Sequence, residues 1–426
     1  MNYPDSVHFL YALGNEIKTA KLGLDRIRLL MEALGGPQER LRFVHVAGTN
    51  GKGSTCAMIE AALRDGGRTG LFTSPHLSAP TERIRLDGRP VSEERFAAAF
   101  DRVHKAVETL VAAGTLESHT SYFETVTAMA FAIFAEERVD AAVLEVGLGG
   151  RLDATNVVRP ELCVITPVDF DHEAFLGKSL EAIAGEKAGI LKAGVPAVFS
   201  RQRPEAAEVL NRRADELSIP VARTETWKVV DLEMDARGSR FLLSGERDLR
   251  IDCPLAGEHQ VENAATAAVA LTRLGVSIPA IETGIAQTRW PGRLERISER
   301  PEIIVDGAHN PAGARALAAY IDRFYRSRRV RLIYGAMRDK AVPEIGGVLF
   351  PLAEQVIVTA PRQARAMLPE SVREISDHPN LQIARTLGEA LRLVADADVV
   401  FITGSLFLVA EAREMVLGSA AGRVDL

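Results

Sequence analysis

The sequence predicts an α/β fold in two domains: a P-loop-type, mostly parallel sheet domain with a small antiparallel edge, then a smaller Rossmann-like C-terminal domain. Three observations predict it. Apolar runs of strand length alternate with amphipathic helical stretches along most of the 426 residues, a length that suits two α/β cores. One glycine-rich turn, Gly48-Thr49-Asn50-Gly51-Lys52-Gly53-Ser54, joins an apolar run to a helical one. Polar or glycine-rich loops also follow the strand candidates that end at Val46, Thr73, Val146 and Val168, and a parallel sheet gathers such loops at one edge.

Composition narrows the class. Hydrophobic residues make up 47% and charged residues 25%, with a net charge of −6, so no basic field points to nucleic acid or a membrane surface. Cys56, Cys163 and Cys253 lie far apart, which fits a reducing compartment rather than a zinc site or disulfide framework. No uncharged apolar run is long enough to span a bilayer. A cytoplasmic monomer with small-molecule partners, and neither nucleic acid nor membrane as partner, is the expectation.

In chain order, residues 3–13 and 24–34 read as short amphipathic helices, the second ended by Gly35-Gly36-Pro37. Residues 41–46 suit a buried strand, and 54–64 have helical spacing with Cys56, Ile59, Ala62 and Leu63 near one face. The turn between them points at a helix N-terminus, where unpaired amides and the dipole favour anions. It reads as a phosphate cradle with Lys52 as mobile counter-charge and a hydroxyl of Ser54 or Thr55 in reach of Mg²⁺. Val46 and Gly53 stand where the common P-loop pattern has glycine and Ser/Thr, so an exposed lysine on an ordinary strand-to-helix turn is the competing reading.

A short strand at 69–73 leads to Ser74-Pro75-His76-Leu77 and Glu82-Arg83-Ile84, where Pro75 and Pro80 bar regular structure. Residues 92–113 and 123–136 read as scaffold helices. The strand 141–146 carries Glu145 at its end and runs into Gly147-Leu148-Gly149-Gly150-Arg151-Leu152-Asp153-Ala154-Thr155-Asn156; a carboxylate there, beside a phosphate cradle, is placed to hold Mg²⁺. The strand 162–168 ends in Asp169-Phe170-Asp171-His172. In the helix 179–191, Lys187 has alanine and glycine for neighbours, unlike a lysine on a solvated face. Burial there would favour the neutral amine that can take up CO₂; an ion pair with Glu186 is the alternative. A strand and helix follow at 195–200 and 204–217, and 227–254 alternates like hairpins on the sheet's edge. Gly257-Glu258-His259-Gln260-Val261-Glu262-Asn263 opens an alanine-rich helix, and Trp290-Pro291-Gly292-Arg293-Leu294-Glu295 is the linker candidate. The domains are therefore expected at 1–292 and 293–426, with strands at 303–306, 330–334, 355–359 and 399–403 in the second.

These motifs together resemble the folylpolyglutamate synthase/dihydrofolate synthase family of the Mur ligase superfamily. The string E-V-G-L-G-G-R-L-D-A-T-N is the most specific, joined by G-T-N-G-K-G-S, T-S-P-H-L, P-G-R-L-E and D-G-A-H-N-P; Lys21 to Ile27 resembles the family's N-terminal signature, though its plain reading is a helix start. The resemblance implies that Gly48, Thr49, Asn50, Gly51, Lys52, Gly53 and Ser54 bind ATP phosphates, with Asn263 beside the adenine and Arg293, Asp306 and His309 touching ATP across the domain cleft. It implies Ser54, Ser74, Glu145 and His172 as metal ligands, Lys187 as a carboxylated (carbamylated) lysine that helps to organise the second Mg²⁺, and His76, Leu77, Arg83 and Asp153 on the substrate side. Met337-Arg338-Asp339-Lys340 and Gly404-Ser405-Leu406 resemble positions on the amino-acid side, with Ser405 singled out.

The chemistry so implied is ATP-dependent amide ligation. A folate's terminal carboxylate takes the γ-phosphate to give an acyl phosphate, and the amine of L-glutamate displaces phosphate; dihydropteroate is a further acceptor in the family. Lys52, Lys187 and His172 are the residues assigned to catalysis. Two alternatives stand beside this reading: another Mur-type ligase acting on cell-wall precursors, and a P-loop switch. The second, signature-bearing domain favours a ligase over a switch.

Overall fold

The computed structural model describes residues 1–14 and 23–421. Lys21 and Leu22 of the N-terminal signature lie outside the described residues. The chain divides into two compact units: Met1–Val230 with Phe241–Ile251 and Glu262–Thr288, and Asp231–Arg240 with Asp252–Val261 and the chain from Arg289 on. Among the described residues no helix is long and apolar enough to cross a membrane.

The first unit is built on eight strands, β1 (Phe43–Ala47), β2 (Thr69–Phe72), β3 (Ile84–Leu86), β4 (Arg89–Pro90), β5 (Ala141–Glu145), β6 (Leu162–Ile165), β7 (Ala197–Phe199) and β8 (Val221–Arg223). They run in the order β4-β3-β2-β5-β1-β6-β7-β8. β1 is parallel to both neighbours, with Val46 opposite Glu145 on one side and Val164 on the other. Every residue of β1 is buried, His45 among its apolar neighbours included, as expected of a strand covered on both faces. One face is covered by the helices Glu93–Ala112 and Tyr122–Glu136, whose Phe96, Phe100 and Phe131 pack with Phe43 and Phe72. The other carries Leu180–Ala188 and Pro204–Glu216, with Ile183, Val209 and Leu210 inside. The helix Lys52–Leu63 is buried all round from Gly53 to Ala62, not along one face as its spacing suggests. Its small residues let the helix Ile278–Ala286 approach until Gly284 touches the backbone of Ala62.

The small antiparallel part is present, but the stretch 227–254 is not the edge of the large sheet. The edge of the large sheet is the hairpin β2-β3-β4, antiparallel throughout. The alternating stretch 227–254 gives β9 (Lys228–Met234), β10 (Ser239–Ser244) and β11 (Leu249–Cys253), which form a sheet of their own in the order β11-β10-β9. Alternation reports that one face is buried; it does not name the sheet that a strand joins.

The second unit contains β12 (Glu295–Glu299), β13 (Glu302–Val305), β14 (Val330–Tyr334), β15 (Gln355–Val358), β16 (Leu381–Ile383) and β17 (Val399–Thr403), ordered β12-β13-β17-β14-β15-β16. Only β12 is antiparallel to its neighbour. Ile304, Leu332, Val356 and Phe401 form its core with Tyr320, Tyr325 and Phe350 from the flanking helical segments. β8, β12 and β16 are short strands with at most one or two fully buried residues each, too little apolar pattern to be read in advance.

Candidate active site

From Ala47 the chain turns through Gly48 and Gly51 into the helix Lys52–Leu63. φ is +149° at Gly48 and +81° at Gly51, and a Cβ would collide with Thr166 at the first and with the Asn263 carboxamide at the second. Glycine alone meets both demands. The amides of Thr49 and Asn50 donate to the Pro167 carbonyl at 2.9 and 3.3 Å, and Thr49 Oγ1 donates to the Asp169 carbonyl at 2.9 Å. These bonds pin the loop to the chain leaving β6. An anion is left the first turn of the helix, which has no side-chain cap and whose leading amides lack intrahelical acceptors. Asn263, predicted beside a nucleotide base, thus lies against the cradle's own glycine.

Two lysines close on this loop. Lys52, half-buried, donates from Nζ to the carbonyls of Gly48 and Thr49 at 3.1 and 3.0 Å. Lys187, only 4% exposed, donates to Gly48 O at 2.9 Å. Burial, and then the charge of Lys52, lower the Lys187 pKa to about 7. Its competing partner is engaged elsewhere: Glu186 Oε1 accepts from Arg151 Nε and Nη2 at 3.1 and 2.8 Å.

Glu145 closes β5 with 5% exposure, and its Oε2 accepts the Ser74 amide at 3.1 Å. Ser54 is buried on the first turn of the P-loop helix. His172 follows β6 with φ +53°, its Nε2 3.9 Å from Asp171 Oδ1. Among the described residues no three His, Cys, Asp or Glu side chains converge on a metal position. The residues assigned from sequence as donors are one carboxylate, two hydroxyls and an imidazole, whose chemistry fits a hard cation sharing its shell with phosphate oxygens and water rather than an all-protein cage; of them the structure joins Ser74 to Glu145.

The glycine-rich string after Glu145 is a seat for the Lys187 helix. Arg151 N donates to Glu186 O at 2.8 Å, and a Cβ at Gly150 would stand 2.8 Å from that same carbonyl and 3.1 Å from Lys187 Cα. Asn156 Nδ2 donates to the carbonyls of Arg151 and Gly189 at 2.9 and 3.1 Å. Asp153 is inside the loop, not at its surface: Oδ2 accepts the amides of Gly147 and Leu148 at 3.0 and 2.9 Å, and Oδ1 accepts the Thr155 amide at 3.0 Å and its hydroxyl at 2.5 Å. That bonding gives Asp153 the work of shaping the loop.

In the loop after β2, Glu82 accepts the amides of Leu77, Ser78 and Ala79 at 2.9, 3.0 and 3.1 Å. His76 Nδ1 accepts from Arg83 Nε at 2.8 Å, so its Nε2–H is the donor toward Tyr11 Oη at 3.2 Å. Burial and the Arg83 charge push His76 down to about 3. Arg83 in turn sits over the Tyr122 ring, 5.1 Å from its centroid. His76 and Arg83 thus form a hydrogen-bonded pair backed by the Tyr122 ring.

In the second unit Asp306 bridges two turns: Oδ2 accepts the Leu294 amide and Oδ1 the Ala308 amide, each at 2.9 Å. It therefore fixes the loop that carries Arg293. His309 Nδ1 lies 2.7 Å from Gly307 O, and Gly404 N donates to Ala308 O at 3.1 Å, which sets Ser405 beside the same turn. Ser405 Oγ accepts the Phe407 amide at 3.2 Å. The sequence assigns no role to His259, which is half-buried within the field of Asp306 and Arg293; desolvation pushes its imidazole down against the pull of Asp306. Its signal lay in the string from Gly257 to Asn263. Glu295 Oε2 accepts the Gly292 amide and Arg413 Nε, both at 2.7 Å, and Arg413 had no signal in its own neighbourhood of sequence.

The family model for the Mur ligase middle domain matches residues 46–271, and that for the Mur ligase, glutamate ligase domain matches 292–406. The dihydrofolate synthase/folylpolyglutamate synthase of Bacillus subtilis is 36% identical over 92% of this chain and 95% of its own. The folylpolyglutamate synthase of Mycobacterium tuberculosis, solved with ADP and AMPPCP, superposes with a TM-score of 0.91 at 34% identity, covering 97% of this chain and 99% of that one. E. coli FolC, solved with DHPP and ADP, gives 0.88 at 31% identity over 99% of each chain.

Proposed function

The chain belongs to the folylpolyglutamate synthase/dihydrofolate synthase family of Mur ligases and is an ATP-dependent ligase, and on that premise we propose that it joins L-glutamate to the terminal carboxylate of a folate through an acyl phosphate. The observation that carries the reading is the gathering of Lys52, Lys187 and the Gly48–Ser54 loop around one carbonyl, with Glu145 one strand away. Lys52 and the amides of the first helical turn bind and neutralise the β- and γ-phosphates, and Asn263 flanks the base. The substrate carboxylate attacks the γ-phosphorus, ADP leaves, and the amine of L-glutamate then expels phosphate from the acyl phosphate. Little covalent chemistry falls to the protein; charge placement and alignment supply the rate.

Glu145, Ser54, Ser74 and His172 are the residues that would hold Mg²⁺, which when bound spreads the charge of the transferring phosphoryl group. Lys187 is assigned as a carbamate: its neutral Nζ adds to CO₂ and releases a proton, and the product keeps an N–H for Gly48 O. His76, Leu77 and Arg83 are assigned to the pterin side, Arg293, Asp306 and His309 to ATP, and Ser405 to the amino acid. The ATPase domain is assigned to 1–292 and the ligase domain to 293–426, although 231–240, 252–261 and 289–292 cluster with the second compact unit rather than the first. A cytoplasmic monomer is the working expectation, and light scattering tests the monomer.

Phosphate release with ATP and L-glutamate, compared across tetrahydrofolate, dihydropteroate and a muramyl precursor, tests the proposal. Release is expected with tetrahydrofolate, and the dihydropteroate arm decides whether the enzyme also makes dihydrofolate. Release with the muramyl precursor alone would assign it to the cell-wall ligases.

A further inference from the structure

His45 lies at the centre of β1, fully buried, with no role in the chemistry above. Its Nε2 is 2.8 Å from Thr155 Oγ1. That hydroxyl has one hydrogen, and it lies 2.5 Å from Asp153 Oδ1, an oxygen that also takes the Thr155 amide. A carboxylate only accepts, so the Thr155 hydroxyl donates to Asp153 and has a lone pair left for His45. His45 is therefore the Nε2–H tautomer. Its Nδ1 has no hydrogen-bond partner among the described residues, which is what a lone pair with no proton tolerates best. Burial, with Lys192 adding to it, lowers the His45 pKa to about 3, so the ring stays neutral across the working range.

The chain of bonds runs from His45 through Thr155 and Asp153 to the amides of Gly147 and Leu148. Those amides lie two and three residues after Glu145, and the loop they begin carries the Arg151 and Gly150 contacts that seat Lys187. At its other end His45 stands three residues before Gly48 on the strand that delivers the phosphate loop. We propose that His45 is a positioning residue for ligation: its Nε2–H, donated to Thr155, holds the 147–156 loop in register with the phosphate-loop strand and so fixes Glu145 and Lys187 relative to Lys52. This rests on the site reading above, which Lys52→Ala and Glu145→Gln test separately. A loss of function in those two with no effect at His45 sinks the inference alone.

Four variants test it. His45→Leu keeps the volume and removes the donor. His45→Gln restores an N–H donor at a similar reach. Thr155→Val removes the relay, and the double variant His45→Leu/Thr155→Val closes a cycle. The readouts are kcat and KM for ATP, thermal midpoint, and hydrogen exchange at the Gly147 and Leu148 amides in the protein without ligands. Removing such a supporting partner is expected to lower kcat about 10- to 100-fold in His45→Leu, with KM for ATP little changed and faster exchange at both amides. Thr155→Val should match it, the double variant should be no worse, and His45→Gln should recover most of the rate. His45→Leu with wild-type kcat and exchange, or His45→Gln no better than His45→Leu, would overturn the proposal. Should His45→Leu fail to fold, Thr155→Val with wild-type exchange at Gly147 and Leu148 would overturn it equally.

Discussion

Lys52 and Lys187 donate to the same acceptor, the carbonyl of Gly48, at 3.1 and 2.9 Å. Two ammonium groups on one oxygen repel, and the one with less water around it yields. Lys187 is that one: 4% exposed, with its pKa lowered to about 7. On the function proposed above, Lys52 keeps its charge for the polyphosphate, while Lys187 gives up the proton that CO₂ capture requires it to lose.

The depressed pKa has a consequence for stability. Between the folded value of about 7 and the unfolded 10.5, the unfolded chain holds a proton that the folded chain has released, so stability contributed by this site rises with pH across that window and falls as pH drops toward 7. Urea unfolding in CO₂-free buffer should show this rise, and Lys187→Met should lose it. Equal slopes in the two proteins would place a charged lysine in the folded state.

With carbon-13-labelled bicarbonate, the wild type should show a carbamate signal that Lys187→Ala lacks. That variant should be inactive and partly rescued by formate or acetate, which occupy the vacated space. Full activity of wild-type enzyme in CO₂-depleted buffer, with a plain amine by NMR, would make the lysine merely structural.

Lys52→Ala should remain folded, since its bonds are to its own loop. Loss of one charge on the phosphates should lower kcat roughly 10²- to 10³-fold. Steady-state kinetics beside circular dichroism separates this from unfolding; near-normal turnover in a folded protein would remove Lys52 from the phosphate site.

In Glu145→Gln the amide oxygen still accepts from Ser74 N, so the thermal midpoint should move little. An amide is a weaker ligand for a hard cation, and the activity-against-Mg²⁺ curve should shift to higher concentration. An unshifted curve would leave Glu145 as a strand-end residue.

Gly51→Ala places a side chain at φ +81° and against Asn263. It should destabilise by about 1–2 kcal/mol from the backbone conformation alone, and it should weaken ATP binding by displacing Asn263. Calorimetric ATP affinity equal to wild type would show that Asn263 is not held by this contact.

Much of the site is legible because its residues cluster in sequence. Glu145 announces itself as a carboxylate at the end of an apolar run, and the glycines that follow it are dense enough to be a signature. Lys187 is legible as a lysine among small residues. Its acceptor lies 139 positions away and has no signal in the helix itself. Asp153 reads as a substrate residue because it shares a string with Glu145, yet its carboxylate turns inward to four donors of its own loop; sequence neighbourhood does not fix side-chain direction. His45 hides among valines in β1, since its partner Thr155 comes 110 residues later. The edge strands β3 and β4 escape notice because two or three residues beside Pro80 carry no readable period.

Tracing one oxygen atom reveals whether an acyl phosphate forms. If a substrate carboxylate attacks the γ-phosphorus, an acceptor folate with its terminal carboxylate labelled by oxygen-18 must pass one labelled oxygen to the phosphate released with each glutamate added. Mass spectrometry of that phosphate should find the label in step with amide formation. Unlabelled phosphate accompanying the same amount of product would contradict an acyl phosphate, and with it the roles assigned to Lys52, Glu145 and Lys187.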